Sequence, residues 1–163
     1  VHQGFAEPYC PELTDILAEA AGSAADTDVV RGGTYVCIEG PQFSTRAESD
    51  FYRDQGWDVI GMTTIPEAKL AREAEMSYAT IAGVTDYDVW KTDSQVSLEE
   101  VLENAAANET AIKRAVEAGI DAIPEDDECG CHSALANTIN TPEAAIPEST
   151  KGELEPLIGA YVD

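Results

Sequence analysis

Basic side chains are scarce in this chain of 163 residues. Only 9 lysines and arginines stand against 32 aspartates and glutamates, and the net charge is −23. Nothing resembles the basic patch that displaces counterions from phosphates, which argues against nucleic-acid binding. The sequence also lacks an apolar run of the about 20 residues that a membrane span needs, and a basic start followed by an apolar signal core. These absences predict a soluble, cytoplasmic protein that does not insert into membranes.

The acidic excess is spread along the chain. Only the EDDE stretch at 125–128 forms an acidic run, whereas an acidic interaction tail would concentrate its charge in blocks. At molar salt the Debye length shrinks to about 3 Å, so repulsion among the carboxylates is screened while they still hold water and cations. The composition therefore predicts a protein adapted to a salt-rich cytoplasm.

The composition is that of a globular protein, with 44% hydrophobic and 25% charged residues. At this length we predict one domain, residues 1–163. Apolar spacing and capping residues predict four helices, over 11–21, 45–56, 66–75 and 97–118, the last stopping at Gly119. Apolar and β-branched stretches predict a strand or hairpin over 28–38 and buried strands over 57–63 and 78–85. Short helices joined by turns are expected in the tail, and the alternation of helices with strands predicts an α/β fold, whose ligands gather at the carboxyl ends of strands.

The most specific local pattern is IEGPQFSTRAES, residues 38–49. Gly40-Pro41 fixes a turn after a strand, and Phe43 follows where an aromatic face could stack on a planar ligand. Residue types alone favour a different interpretation, a strand–turn–helix junction with Phe43 in the core.

A second pattern, VTDYDVW, places Asp86 and Asp88 two residues apart after the last predicted strand. In an extended backbone this spacing directs both carboxylates to one side and Tyr87 to the other. Taken alone, two acids in so acidic a chain are more typical of a solvated loop.

Several ordered motifs together resemble one family. AEPYCP, IEGPQFSTRAES, WDVIGMTTIPEAKLAREAEMSYATIA and TDYDVW lie between His2 and about Leu102, and they resemble the methylthioadenosine phosphorylase branch of the trimeric purine nucleoside phosphorylases. After Gly119 the resemblance becomes thin. It implies the C-terminal portion of a phosphorylase/hydrolase-like three-layer fold, in which a central mixed sheet is flanked by helices.

The resemblance implies roles for the residues that match the family's motifs. Phe43 is expected to stack on the purine, with Ser44 at the edge of the base. Met62 is expected to line the ribose and Thr63 to lie near the phosphate. Without the resemblance, Met62 would be interpreted as a core residue.

The same match assigns the two aspartates and an apolar wall. Asp86 is expected to face N7 of the purine, and Asp88 to accept a hydrogen bond from the 6-amino group. His2 matches a histidine that reaches the neighbouring subunit's site. The wall for the 5′ group would consist of Leu98, Val101 and Leu102, which by spacing alone would form a buried helix face.

The activity implied is phosphorolysis of 5′-methylthioadenosine to adenine and 5-methylthioribose 1-phosphate, with phosphate as co-substrate and no cofactor, in a homotrimer or hexamer. Adenine leaves readily only if N7 gains a proton or a strong hydrogen bond, so Asp86 is the candidate general acid. Relatives that prefer 6-oxopurines carry Glu after the turn Phe and Asn where Asp86 stands. Ser44 and Asp86 therefore favour 6-aminopurines. An adenosine-accepting nucleoside phosphorylase is the alternative.

The family's main phosphate site has no counterpart in this sequence. Family members are longer, and their N-terminal half carries a phosphate loop and an Arg-His pair. This chain has no glycine-rich phosphate cradle, and its arginines do not match the family's phosphate arginine. We therefore expect an incomplete sequence that is nearly inactive by itself; a separate subunit and a non-catalytic nucleoside-binding remnant are the alternatives.

Four cysteines lie outside these roles. Cys129-Gly-Cys131-His132 invites a metal or redox interpretation, since thiolates and imidazole are soft ligands. It lacks a second ligand pair and is not the CxxCH haem motif, so a local disulfide or plain thiols are favoured and no metal site is predicted. Cys10 and Cys37 could pair with each other or with elements beyond this sequence.

Overall fold

The computed structural model describes residues 1–91, 97–126 and 129–162. Over these residues the elements are α1 (Pro11–Ala24), β1 (Tyr35–Cys37), α2 (Arg46–Asp54), β2 (Val59–Gly61), α3 (Thr64–Glu73), α4 (Leu98–Ala122) and α5 (Glu148–Ile158). The 3₁₀ helices Gly130–Ser133 and Glu143–Ala145 connect α4 to α5, as predicted for the tail. None of the described helices combines the length and the apolar composition that a membrane-spanning helix requires. The predicted acidic run at 125–128 lies partly outside the described residues, since 127 and 128 are not among them.

The two strands form a parallel pair, with Tyr35 opposite Val59 and Cys37 opposite Gly61. Both were predicted, but they are shorter than expected. Gly32 and Gly33 have positive φ angles of 75° and 124°, a conformation that turns the chain before β1 and explains why the strand does not begin at residue 28. The alternation of strands with helices from β1 to α3 confirms the α/β class.

The described residues do not form the predicted buried strand over 78–85. A strand needs a neighbour that pairs with its backbone N–H and C=O groups, and the described residues provide none. The carbonyl of Tyr78 instead accepts from the Cys10 N–H at 2.8 Å. Val84 is 61% exposed, so the segment is not buried either.

Helices α1 and α4 pack against each other through small side chains. Ala20 and Ala21 of α1 and Ala115 of α4 are buried. A Cβ atom at Gly119 would lie 2.5 Å from Cδ2 of Leu17, so the glycine permits close approach of the two helices. The predicted stop at Gly119 is therefore wrong, and α4 continues to Ala122.

Helices α2 and α3 each follow a strand, which brings their N-termini to the carboxyl edge of the strand pair. Thr45 caps α2 in a capping box with Glu48, and Gly56 lies beyond its end with a φ of 72°. The prediction of a helix over 45–56 is confirmed: Thr45 caps its start and Gly56 follows its end.

Candidate active site

The turn after β1 and the residue after β2 touch at the carboxyl edge of the strand pair. Gly40 has a φ of 70°, and a Cβ atom there would lie 2.6 Å from Sδ of Met62. Only glycine therefore fits under the Met62 side chain, which is itself half-buried. Two of the sequence motifs thus meet where ligands of α/β folds gather.

Phe43 projects from this turn into solvent. Its side chain is 81% exposed, so the interpretation of Phe43 as a core residue is wrong. The ring lies three residues before the first residue of α2, beyond the end of the strand, where no described element covers it. Next to it, Ser44 Oγ is buried and makes no hydrogen bond within the described residues. An apolar ring face and a polar atom without a partner adjoin each other here.

The two aspartates lie in a tight turn rather than in an extended segment. Asp86 Oδ1 accepts from the Asp88 N–H at 2.8 Å, and Asp86 Oδ2 accepts from the Thr85 hydroxyl at 2.7 Å. Asp88 has a φ of 57°, a left-handed conformation that aspartate tolerates. The expectation of extended backbone over 86–88 is therefore wrong. Both side chains are half-buried, unlike those of a fully solvated loop.

Two asparagines of α4, which the sequence argument missed, hold the chain just before this turn. Asn104 Nδ2 donates to the Thr85 carbonyl at 2.6 Å, and Asn108 Nδ2 donates to the Val84 carbonyl at 2.9 Å. These bonds satisfy carbonyls that a neighbouring strand would otherwise bind. The signal in the sequence was a pair of amides at i and i+4 on one face of a long helix.

Helix α2 holds the other side of the aspartate turn. The Arg46 guanidinium donates to the Val89 carbonyl, and the Arg53 guanidinium lies 4.2 Å from the centroid of the Trp90 ring. Because Arg46 follows Phe43 by three residues, α2 connects the exposed ring to the segment that carries the aspartates. Arg46 was also not predicted as a site residue.

Thr63 is the N-cap residue of α3. It is exposed, and its side chain makes no capping hydrogen bond, so the hydroxyl is not committed to the helix. The structure thus places Thr63 beside Met62 at the carboxyl edge of β2, with a hydroxyl available for a ligand.

The predicted apolar wall is only partly buried. Leu98 is 74% and Leu102 59% exposed, which contradicts the interpretation of these residues as a buried helix face, and Val101 is half-buried. The His2 side chain is exposed, and the His2 backbone N–H donates to the Thr138 carbonyl at 3.1 Å.

Three of the four cysteines form a buried cluster. The ligand atoms of Cys10, Cys129 and Cys131 lie within 4.8 Å of one another, and no disulfide joins them. Burial raises the pKa of the Cys10 thiol to about 12. Burial acts in the same direction on Cys129, but hydrogen bonds, led by the one from the Cys131 N–H, outweigh it and hold the Cys129 pKa below its usual value. Cys37 lies apart, near Ile65.

A cavity of ≈ 500 Å³ lies away from these residues, between α1, α4 and the strand pair. Its walls include Tyr35 and Val59 of the strands and Ile81 and Val84 of the unpaired segment. None of the predicted site residues lines it. The candidate site lies at the carboxyl edge of the strands and not in this cavity, because the polar groups lie at that edge and the cavity is mainly apolar.

The comparisons with known proteins point in one direction. The sequence model described as the Phosphorylase superfamily matches residues 1–121. The chain is 45% identical over 161 residues to S-methyl-5′-thioadenosine phosphorylase of Koribacter versatilis, covering 98% of this chain and 55% of that protein. It is 48% identical over 162 residues to the enzyme of the same name from Geobacter sulfurreducens, covering 99% and 56%. The chain thus spans little more than half the length of these curated relatives.

Solved structures agree with the sequence comparisons. The chain is similar to a methylthioadenosine phosphorylase from an Antarctic soil metagenomic library, with a TM-score of 0.87 and 44% identity over 96% of this chain and 56% of that one. It is also similar to a double mutant of adenosine/methylthioadenosine phosphorylase from Schistosoma mansoni in complex with adenine, with a TM-score of 0.70 and 36% identity over 78% of this chain and 51% of that one.

Proposed function

This chain belongs to the phosphorylase superfamily, and from that premise we propose that it supplies the purine and ribose contacts of an enzyme that converts 5′-methylthioadenosine and phosphate to adenine and 5-methylthioribose 1-phosphate. One observation carries the proposal. Arg46, three residues after the exposed Phe43 ring, donates a hydrogen bond to the Val89 carbonyl just after the Asp86 turn. The planar ring face suits stacking on an aminopurine, and the two carboxylates suit hydrogen bonds to the edge of that base.

In the proposed complex, Phe43 stacks on the purine and Ser44 lies at its edge. Asp88 accepts from the 6-amino group, and Asp86 in its protonated form donates to N7. As the bond between C1′ and N9 breaks, the proton moves from Asp86 to N7, and a phosphate oxygen bonds to C1′. The Thr85 hydroxyl and the Asp88 N–H, which already hydrogen-bond the Asp86 oxygens, would stabilise the carboxylate left behind. No cofactor takes part in this chemistry.

The other predicted residues complete the substrate site in this proposal. Met62 lines the ribose, and Thr63 offers its uncommitted hydroxyl to the phosphate. Leu98, Val101 and Leu102 cover the 5′-methylthio group, which would account for the exposure of the two leucines in the isolated chain. His2 would act in the site of a neighbouring subunit of a homotrimer or hexamer.

We further propose that these residues are the C-terminal half of one domain with a three-layer fold and a central mixed sheet, in a cytoplasmic enzyme. Two observations support this: the chain spans 55% of the Koribacter relative, and segment 78–85 has no strand partner among the described residues. Strands from the remaining portion would pair with that segment and fill the apolar cavity beside it.

The test is phosphate-dependent release of adenine from 5′-methylthioadenosine by the complete protein in molar salt, with adenosine as the comparison substrate. We expect turnover that requires phosphate and is faster with the methylthio substrate. Residues 1–163 alone should turn over little until an upstream polypeptide is added. Faster turnover of adenosine would favour the adenosine phosphorylase alternative, and adenine binding without turnover by the complete protein would favour the non-catalytic one.

A further inference from the structure

The buried thiol cluster joins two distant parts of the chain. Cys10 is the N-cap of α1, and Cys129 is the N-cap of the 3₁₀ helix that contains Cys131. Sγ of Cys10 lies 3.1 Å from Sγ of Cys129. The prediction of no metal site depended on the lack of a second ligand pair beside the CGC motif. Sequence spacing alone could not show that Cys10 lies next to that motif.

A carboxylate faces the same sulfur atoms. Glu12 Oε2 lies 3.3 Å from Sγ of Cys10 and 3.5 Å from Sγ of Cys129. We propose that Cys10, Cys129, Cys131 and Glu12 form a tetrahedral site for one divalent cation of the Zn²⁺ class. Three thiolates and one carboxylate are a ligand set that such a borderline-soft ion accepts.

Two of the contacts within the cluster fit a tetrahedral geometry. With Zn–S bonds of about 2.3 Å and a Zn–O bond of about 2.0 Å, a regular tetrahedron separates two sulfurs by about 3.8 Å and a sulfur from an oxygen by about 3.5 Å. The two sulfur–oxygen distances, 3.3 and 3.5 Å, lie close to that value. The three sulfurs lie within 4.8 Å of one another, and metal binding would rotate these side chains so that Sγ of Cys10 and Sγ of Cys129 move apart from 3.1 Å and Cys131 approaches Glu12.

The surroundings of the sulfurs also resemble a metal site. The Leu13 N–H donates to Sγ of Cys10 at 3.4 Å, and the Cys131 N–H donates to Sγ of Cys129 at 3.3 Å, as outer-shell donors do for metal-bound thiolates. In the thiol form, the Cys10 and Cys129 thiols donate to the Glu12 carboxylate. A dication would replace these protons and offset two of the four negative charges that three thiolates and one carboxylate carry.

The proposed ion would be structural. Four protein ligands fill a tetrahedral coordination sphere, so no open coordination position would face a substrate, and the site lies outside the purine site described above. By joining α1 to the segment that follows α4, the ion would fasten residues 129–162 to the rest of the protein.

The test is a titration of the complete, reduced protein with Co²⁺, an absorbing substitute for Zn²⁺. We expect one equivalent of Co²⁺ to produce thiolate charge-transfer bands and the visible bands of tetrahedral cobalt, and Zn²⁺ to displace it. Cys131→Ser should weaken binding by more than about 100-fold, and Glu12→Gln by about 10- to 100-fold. Cys37→Ser is the matched control, because Cys37 lies outside the cluster, and it should bind as the parent does.

Folding is followed separately, so that loss of structure is not mistaken for loss of a ligand. In the parent and in Cys37→Ser, Tm should rise with Zn²⁺ concentration, and in Cys131→Ser it should not. Folded parent protein without thiolate–cobalt bands would overturn the proposal. So would equal Co²⁺ affinity in the parent and in Cys131→Ser, or a native protein without metal that is two hydrogens lighter through a Cys10–Cys129 disulfide.

Discussion

At the Asp86 turn, the carboxylate of the proposed general acid is itself the acceptor of the hydrogen bonds that shape the backbone. Asp86 Oδ1 holds the Asp88 N–H, and Asp86 Oδ2 holds the Thr85 hydroxyl. An asparagine at position 86 keeps an acceptor for the Asp88 N–H but has no acidic proton. Asp86→Asn therefore removes the proposed proton donor and keeps the hydrogen bond that shapes the turn.

We predict that Asp86→Asn lowers kcat/KM for 5′-methylthioadenosine by about 100- to 10,000-fold, the usual contribution of a general acid. Steady-state phosphorolysis by the complete protein measures it, with circular dichroism as a check on folding. Asp121→Asn is the control, because Asp121 is an exposed carboxylate on α4, and it should leave the rate unchanged. Full activity in Asp86→Asn would remove Asp86 from the mechanism.

Asn104 is expected to position the turn without touching the substrate. Asn104→Ala should lower kcat/KM by about 2- to 10-fold, since the lost hydrogen bond is worth about 0.5–1.5 kcal/mol. The same assay measures this, and urea unfolding separates the change in rate from any loss of stability. Asn140→Ala, at an exposed asparagine in the tail, is the control. Unchanged rates in both variants would show that the bond to the Thr85 carbonyl does not matter for activity.

The sequence left the surroundings of the candidate site residues largely unpredicted. Residue types favoured a core position for Phe43, whereas its ring is exposed in the structure. The alternation rule does not apply to Asp86 and Asp88, because it assumes an extended backbone, whereas the hydrogen bond that the Asp88 N–H donates to Asp86 turns the chain. The partners Asn104 and Arg46 were missed because their bonds join segments 19 and 43 residues apart.

Among the elements, the α1–α4 contact depends on the absence of a side chain at Gly119. We predict that Gly119→Val destabilises the protein by about 1–3 kcal/mol, because the new methyl groups would overlap Leu17. Gly22→Ala is the matched control: Gly22 lies in α1 with nothing within 4 Å of an added Cβ, and alanine there should stabilise by about 0.5–1 kcal/mol. Urea unfolding measures both. Equal stability in Gly119→Val and the parent would contradict close packing at this point.

Helices could be predicted from the sequence more fully than strands, for a physical reason. A helix satisfies its backbone locally, and the capping box of Thr45 and Glu48 can be recognised from four residues. A strand depends on a distant partner, so an apolar stretch such as 78–85 cannot be assigned without knowing what lies beside it. Gly119 shows a related limit, since a glycine that ends a helix and one that admits a neighbouring helix look alike in one sequence.

For the whole molecule, the net charge of −23 predicts that stability depends on salt. The Tm of the complete protein should rise as KCl is raised from 0.1 M to molar concentrations, because the Debye length falls from about 10 Å to about 3 Å and repulsion among the carboxylates is screened. Differential scanning fluorimetry measures this, with sucrose as a non-ionic control. A Tm that stays level or falls with KCl would contradict a salt-adapted surface.

The most direct test of the purine site compares two substrates that differ only at position 6 of the base. We predict that the complete protein, at saturating phosphate, favours 5′-methylthioadenosine over 5′-methylthioinosine by at least about 10- to 100-fold in kcat/KM, because a 6-oxo group leaves the Asp88 acceptor unpaired. Equal values of kcat/KM, or a preference for the 6-oxopurine, would contradict the assignment of Asp86 and Asp88 to the edge of an aminopurine.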